Sequence, residues 1–470
     1  MQFTREISTL LLALIIGFII IVLSASYWAI VGPDTILDRE DNARLVEDEA
    51  NLQRGSIYDR QHTLLAGSEY DDTDTLIRTY PIPALYSALG YFSLRYGVGG
   101  AESAFNTILR GDDLPYNLSS YFQEDILHIP QEGSDIQLTL DYGIQQTIVE
   151  DMNSITGAVI LQSVPNGEII AMVSQPTIDP NSLDENWENL VEDETQPFFN
   201  RALQGNYQPG GILYIALMTS GLSNSYALND LIENPTQNIT LSDITLTCLH
   251  ETDNTPLSFN DSFIAGCPYP MTLLAEGIGL TRIQSSIERF LTDAPPTLQN
   301  FINEPQNDEL PEPTPEATQE PVQITLDDAL GQGNITITPL SVNLMTSALI
   351  NNGNAPDPQI LLAIREPESE DWVNIEISGQ SIPLMTLTTA NYVRDLLVQS
   401  TEQVSGEYDI GGYTAIAFTG EQINTWFIGF VETPNHTGFA ITILLEQTDN
   451  IQLAQEIGFN ALISAIENPN

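Results

Sequence analysis

The segment NRALQGNYQPGGILYIALMTSG, residues 200–221, decides how the rest of the chain is read. Pro209 and Gly210 set a turn, residues 211–220 form an apolar helical run, and Gly221 is expected to stop it. Residues 211 and 214 then lie one turn apart on the same face. The first turn of such a helix is a usual place for a nucleophile, yet the side chains a nucleophile needs are absent. Gly211 has no side chain, and Tyr214 carries a phenol that is neutral near pH 7, with an ordinary pKa of about 10.

The phrase NRA-x-QG-x-Y-x-PG resembles the active-site opening of the penicillin-binding proteins, the transpeptidases that cross-link peptidoglycan. In that family Y-x-PGS-x-x-K supplies an acylating serine and, one turn on, a lysine amine that takes its proton. Here the serine position is Gly211 and the lysine position is Tyr214.

Working outward, Arg54-Gly55-Ser56-Ile57-Tyr58-Asp59-Arg60 and Leu64-Leu65-Ala66 are similar to the element that starts the non-catalytic pedestal of class B penicillin-binding proteins. Tyr80-Pro81, Leu89-Gly90-Tyr91, Gly99-Gly100-Ala101-Glu102 and Leu109-Arg110-Gly111 follow in that region's order. The pedestal ends near Gln131 to Ser134, as in the compact actinobacterial-type members. Beyond it, Ile136 to Leu140 alternates as a strand and Asp141 to Met152 has helical spacing, which resembles the opening of the transpeptidase domain. Residues 157–164 and 168–173 read as two strands joined by Pro165-Asn166-Gly167, where Asn-Gly suits the positive φ angles of a tight turn. Gly331-Gln332-Gly333, Thr338-Pro339-Leu340, Asn352-Gly353 and Trp426-Phe427-Ile428-Gly429-Phe430 continue the likeness, and a helix is expected from about Ile451 to Ile466. Residues 294–322 are rich in Pro, Glu, Gln and Asn and too poor in apolar side chains to hold a fold, so a disordered insertion is expected there.

The remaining active-site motifs of the family are S-x-N and K-T-G. Against the first, Ser262-Phe263-Ile264-Ala265-Gly266-Cys267-Pro268 places Gly266 at the serine and Pro268 at the asparagine. Against the second, Gly412-Tyr413-Thr414-Ala415-Ile416-Ala417 puts Tyr413 at the lysine and Ala415 at the glycine, and keeps Thr414. One fact is independent of register: all 13 basic residues are arginine, so the chain contains no lysine. Arginine stays protonated and cannot serve as the base. The Ser-Lys mechanism is excluded on composition.

A histidine could rescue a hydroxyl nucleophile. His62 and His128 fall in the pedestal and His436 in a turn between strands; His250, close in sequence to Cys248, is the one candidate near the old cleft, and otherwise a loop histidine. Cys248 and Cys267 can pair across a short loop or remain buried thiols. Tyr214 and Tyr413 either fill the space of lost lysine side chains or plug the groove against a ligand. No metal spacing, phosphate loop or cofactor motif is present.

Sixty-four acidic residues against 13 basic ones give a net charge of -51, which repels phosphate backbones and excludes nucleic acid as a partner. Residues 9–31 carry no charge and are long enough to cross a bilayer, with Arg5 before them and Tyr27 and Trp28 at the far end. A retained single-pass anchor is expected after a short cytoplasmic tail of residues 1–8; a cleaved signal peptide is the alternative, since Ser24-Ala25-Ser26 offers small residues.

The expected class is α+β: anchor, pedestal over 32–134, then over 135–470 a transpeptidase-like domain, similar to serine β-lactamases, of antiparallel sheet flanked by helices. The resemblance implies a place in cell-wall synthesis outside the membrane, a polytopic peptidoglycan glycosyltransferase as partner and a peptidoglycan stem peptide as a possible ligand. The lost motifs turn that expectation toward a scaffold or regulator without cross-linking activity. The alternatives are reversible stem-peptide or penicillin binding, a different nucleophile, or a purely structural surface protein.

Overall fold

The run QINTWFIGFVE, Gln422–Glu432, is apolar through its centre, which suits a strand covered on both faces. In the computed structural model it is the second strand of a five-stranded sheet. The structure describes residues 2–30, 50–71, 75–114, 132–241, 244–252, 255–291, 298, 324–367, 369–375, 381–401, 408–420, 422–433 and 437–467. The expected insertion over 294–322, Leu298 apart, lies outside the described residues, as do the segment 34–49, His128 and His436.

The elements that matter for the site begin with α1 (Gln2–Ile30), β1 (Ile57–Tyr58), β2 (Leu64–Tyr70) and β3 (Leu76–Thr79). They continue with β4 (Asp135–Leu138), α2 (Tyr142–Asp151), β5 (Gly157–Val164), β6 (Ile169–Gln175) and α3 (Tyr214–Ser223). Next come α4 (Phe259–Ile264), α5 (Pro268–Ile278), α6 (Pro339–Ile350), β7 (Leu361–Arg365), β8 (Val373–Asn374) and α7 (Leu387–Ser400). The chain closes with β9 (Asp409–Thr419), β10 (Gln422–Glu432), β11 (Gly438–Leu445) and α8 (Ile451–Glu467).

The five-stranded sheet has the order β9-β10-β11-β5-β6 and is antiparallel throughout. Alternation along β10 divides two cores. Trp426, Ile428 and Phe430 join the cluster that holds α6, whereas Phe427 and Val431 join the one that holds α2 and α8. Helix α6 is buried on every side, as an apolar helix without a polar face must be. Its one deep amide, Asn343, donates to the carbonyls of Ile160 and Ala440 and fastens the helix across β5 and β11.

A second sheet has the order β8-β7-β4-β1-β2-β3. Ile136 of β4 pairs with Ile57 on one side, in parallel, and with Ile364 on the other, so pedestal strands and a late part of the chain share one sheet. Residues 54–69, 77–114 and 133–470 accordingly form one compact unit. Three motif pieces of the pedestal converge inside it on a buried carboxylate. Arg54 Nη2 reaches Glu102 Oε2 at 3.0 Å, Arg78 Nε reaches Oε1 at 2.7 Å, and the Tyr80 hydroxyl donates to Oε1 at 3.2 Å. Burial pushes the Glu102 carboxyl up, but Arg78 and Arg54 more than reverse this and hold it below the usual carboxylate range.

The other unit comprises 1–53, 70–76 and 115–132. In it Gln2–Ile30 is one continuous helix, and Leu11, Leu12, Leu14, Phe18 and Leu23 are exposed. Among the described residues, no helix is long and apolar enough to cross a membrane.

Two local expectations are corrected. Gly221 does not stop its helix, which runs to Ser223. A Cβ at Gly221 would stand 3.2 Å from Leu228 Cδ2, so the glycine serves close packing instead. The β5–β6 hairpin forms, but of its turn residues only Gly167 has positive φ, and the Val164–Pro165 bond is cis, which is not the Asn-Gly turn expected.

Candidate functional site

The 200–221 segment is held by residues that the sequence marked as motif but whose work is architectural. Arg201 Nε pairs with Glu446 Oε1 at 2.8 Å, and the Tyr207 hydroxyl donates to the same oxygen at 2.6 Å. The indole of Trp426 donates to the Gln208 carbonyl at 3.0 Å, which ties the turn to β10. Gly210 (φ +53) and Gly331 (φ +72) meet backbone to backbone, the Gly210 N–H donating to the Gly331 carbonyl at 2.9 Å. A Cβ on either would overlap main-chain atoms, so only glycine fits at both. Gln332 Oε1 accepts from the Phe418 N–H of β9 at 3.0 Å. The turn therefore reaches its place against β9 with the family's framing intact.

Gly211 follows, inside a tight turn of 3-10 helix, Gly210–Leu213, that leads into α3. A Cβ built there would stand 3.2 Å from Ala415 Cβ, 3.6 Å from Tyr214 Cε2 and 3.7 Å from the Tyr413 hydroxyl. The structure thus brings together Gly211, Tyr214, Tyr413 and Ala415. Both tyrosines are buried, and Tyr413 stacks on Phe263 of α4 with ring centroids 4.7 Å apart and planes 16° apart. Phe263 lies in the phrase aligned with S-x-N, but nothing in its identity announced the stack. Among the described residues the buried Tyr413 hydroxyl has no hydrogen-bond partner. Burial raises the pKa of both phenols, and the neighbouring Tyr214 raises that of Tyr413 further. Both phenols are held in the neutral form near pH 7.

Thr414 is turned to the opposite face, as the two-residue period of a strand requires. It lies opposite Phe427, and its hydroxyl accepts from Gln455 Nε2 of α8 at 2.9 Å. Gly266 and Pro268 offer no polar side chain. Gly266 lies against Leu249, whose Cβ would stand 2.8 Å from an added Cβ, and Pro268 begins α5. Between them Cys267 is bonded to Cys248. The disulfide and the Leu249 and His250 N–H groups, both donating to the Ala265 carbonyl, fix the 248–250 loop over the S-x-N position.

Beside β9 lies a cavity of about 640 Å³ that includes His250, Asp261, Tyr413, Thr414, Gln455 and Phe459 in its lining. His250 is half-buried, not a free surface histidine, and burial lowers its pKa. Among the described residues its ring hydrogen-bonds to no hydroxyl. The nearby Ser400 and Thr401 hydroxyls both donate to the Leu397 carbonyl. His62 sits far along the sequence, beside Trp372 and Gln137 in the second sheet.

Fold and site together define a penicillin-binding transpeptidase framework. Residues 157–463 match the penicillin binding protein transpeptidase domain, residues 54–136 match the penicillin binding protein A dimerisation domain, and the chain belongs to the penicillin-binding protein transpeptidase family. It is a homologue of proteins of peptidoglycan biosynthesis. The peptidoglycan D,D-transpeptidase PbpA of Mycolicibacterium smegmatis is 23% identical over 468 residues, which cover 92% of each chain. The peptidoglycan D,D-transpeptidase MrdA of Acinetobacter baumannii is 24% identical over 417 residues, 79% of this chain and 61% of that one. The imipenem acyl-enzyme complex of penicillin-binding protein A from M. tuberculosis matches in fold with a TM-score of 0.75 at 24% identity, covering 90% of this chain and 100% of that one.

Proposed function

We propose that this chain is a pseudo-transpeptidase, a non-acylating member of its family that scaffolds or regulates a peptidoglycan glycosyltransferase. The observation that carries the reading is the crowding at Gly211: where the family needs a serine hydroxyl and a free amine, two buried phenols and the Ala415 methyl close around a residue without a side chain. The absence of lysine from the whole chain supports it, because no shift of register supplies the amine. The retained residues Arg201, Tyr207, Gly210 and Gln332 support it from the other side. Each holds backbone or turn in place, so selection for the shape alone accounts for them.

In this reading α1, uncharged from Ser8 to Ile30, anchors the chain in the cell membrane and the rest lies outside the cytoplasm. The anchor and pedestal contact the polymerase, and the transpeptidase-like domain contributes surface in place of chemistry. The test has two arms. The natural chain is given a D-alanyl-D-alanine stem peptide and a thioester analogue, and it is also purified under mild conditions from its own membranes. No turnover together with recovery of a glycan polymerase is the expected result. Turnover that survives denaturation-renaturation controls overturns the proposal.

A further inference from the structure

The cavity beside β9 differs in charge from what its place in the family demands. A site for the carboxylate of a peptide or a penicillin needs a fixed cation, and among the described residues lining this one there is none. Among the described residues of the lining, Asp261 is the single formally charged group near neutral pH, since burial lowers the pKa of His250. Asp261 belongs to the capping box of α4, where Ser258 holds its carboxylate in position. Phe459, half-buried, lines the same space, with Phe427 fully buried behind it, edge to face at a centroid distance of 5.3 Å, so one phenyl ring is open to the cavity. Around it the chain carries a net charge of -51, which concentrates cations and repels anions.

We propose that this cavity binds a small organic cation, an ammonium group on an aromatic or aliphatic body, and discriminates against carboxylates of the same shape. The inference rests on the pseudo-transpeptidase reading in one respect: the lysine of K-T-G, the family motif that holds the substrate carboxylate, is Tyr413 here. What the cavity offers instead is the Asp261 carboxylate and the Phe459 ring, a pairing that attracts ammonium groups through charge and ring quadrupole together.

Three probes of one shape test it: benzylamine, benzyl alcohol and benzoate, titrated calorimetrically into the full chain in a neutral detergent at physiological salt. Benzylamine is expected to bind with a stoichiometry of one and about tenfold tighter than benzyl alcohol, and benzoate more weakly still. Asp261→Asn should bring benzylamine down to the level of benzyl alcohol. Phe459→Leu, which keeps apolar bulk and does not touch the cap, should lower benzylamine affinity even if the Asp261 variant folds poorly. Its loss also separates the cavity from diffuse attraction to an acidic surface. Benzoate binding as tightly as benzylamine, or benzylamine binding unchanged in Phe459→Leu, overturns the proposal. A penicillin adduct on the same preparation instead overturns the pseudoenzyme reading, so the two failures are distinguishable.

Discussion

Tyr413 lies flat on Phe263, and its hydroxyl, 3.7 Å from where a Gly211 Cβ would stand, is buried without a hydrogen-bond partner among the described residues. Ring and hydroxyl make opposite contributions. The ring fills space that a cavity would otherwise occupy, while the hydroxyl has lost water and gained nothing for it. Tyr413→Phe is therefore expected to leave stability unchanged or raise it by about 1 kcal/mol, whereas Tyr413→Ala should lower it by about 3–5 kcal/mol. Urea unfolding of the three proteins decides; a Phe variant less stable by more than about 1 kcal/mol means the hydroxyl has a partner.

The same burial gives the fold an alkaline limit. Tyr214 and Tyr413 have folded pKa values above that of a free phenol, so the stability their neutral forms contribute is fully present below about pH 10. It is lost as pH rises from there toward the folded values, because only the unfolded chain releases these protons. Tyrosinate absorbance followed with far-ultraviolet dichroism should show these two phenols ionising together with unfolding. In Tyr214→Phe/Tyr413→Phe the transition should move to higher pH.

In the pedestal the sign is reversed. Glu102 is held below the ordinary carboxylate pKa by Arg78 and Arg54, so its contribution is present above the unfolded value of about 4.3 and is lost as pH falls through the folded one. Glu102→Gln leaves two buried guanidinium groups without their carboxylate and should cost about 3–5 kcal/mol near neutral pH. It should also flatten the acid limb of the stability profile. A loss under about 1 kcal/mol would show that water reaches the arginines.

Much of this architecture was legible before the structure. Residues 157–164 and 168–173 read as strands, and the likeness at 426–430 implied an antiparallel sheet flanked by helices, but the buried helix over 339–350 was not read. Arg54, Tyr80 and Glu102 appeared as separate motif pieces, and the sequence could not show that they meet on one carboxylate, because that contact is made across 22 to 48 residues. That residues 211 and 214 are glycine and tyrosine, in a chain without lysine, is plain in the sequence. The Tyr413–Phe263 stack is not, since it depends on how far α4 approaches β9. Gly221 misled for a related reason: as a helix end it obeys a local rule, and packing against Leu228 overrode that rule.

The Cys248–Cys267 bond closes a loop with a sequence separation of 19 and keeps Leu249 over Gly266. Cys248→Ser/Cys267→Ser should lower stability by about 3 kcal/mol through the freed unfolded chain. Hydrogen exchange should rise at Leu249 and His250, whose N–H groups the bond keeps near Ala265. Unchanged exchange there would assign the loop's order to packing alone.

The central claim is that no group at the Gly211 position can be acylated. The most direct measurement is intact mass of the full chain after incubation with a fluorescent penicillin, beside Gly211→Ser/Tyr214→Lys/Tyr413→Lys, which restores the serine and two lysines. The account predicts no adduct on the natural protein. A stoichiometric adduct on the natural chain that disappears on prior unfolding would contradict it and place a nucleophile outside the family's motif.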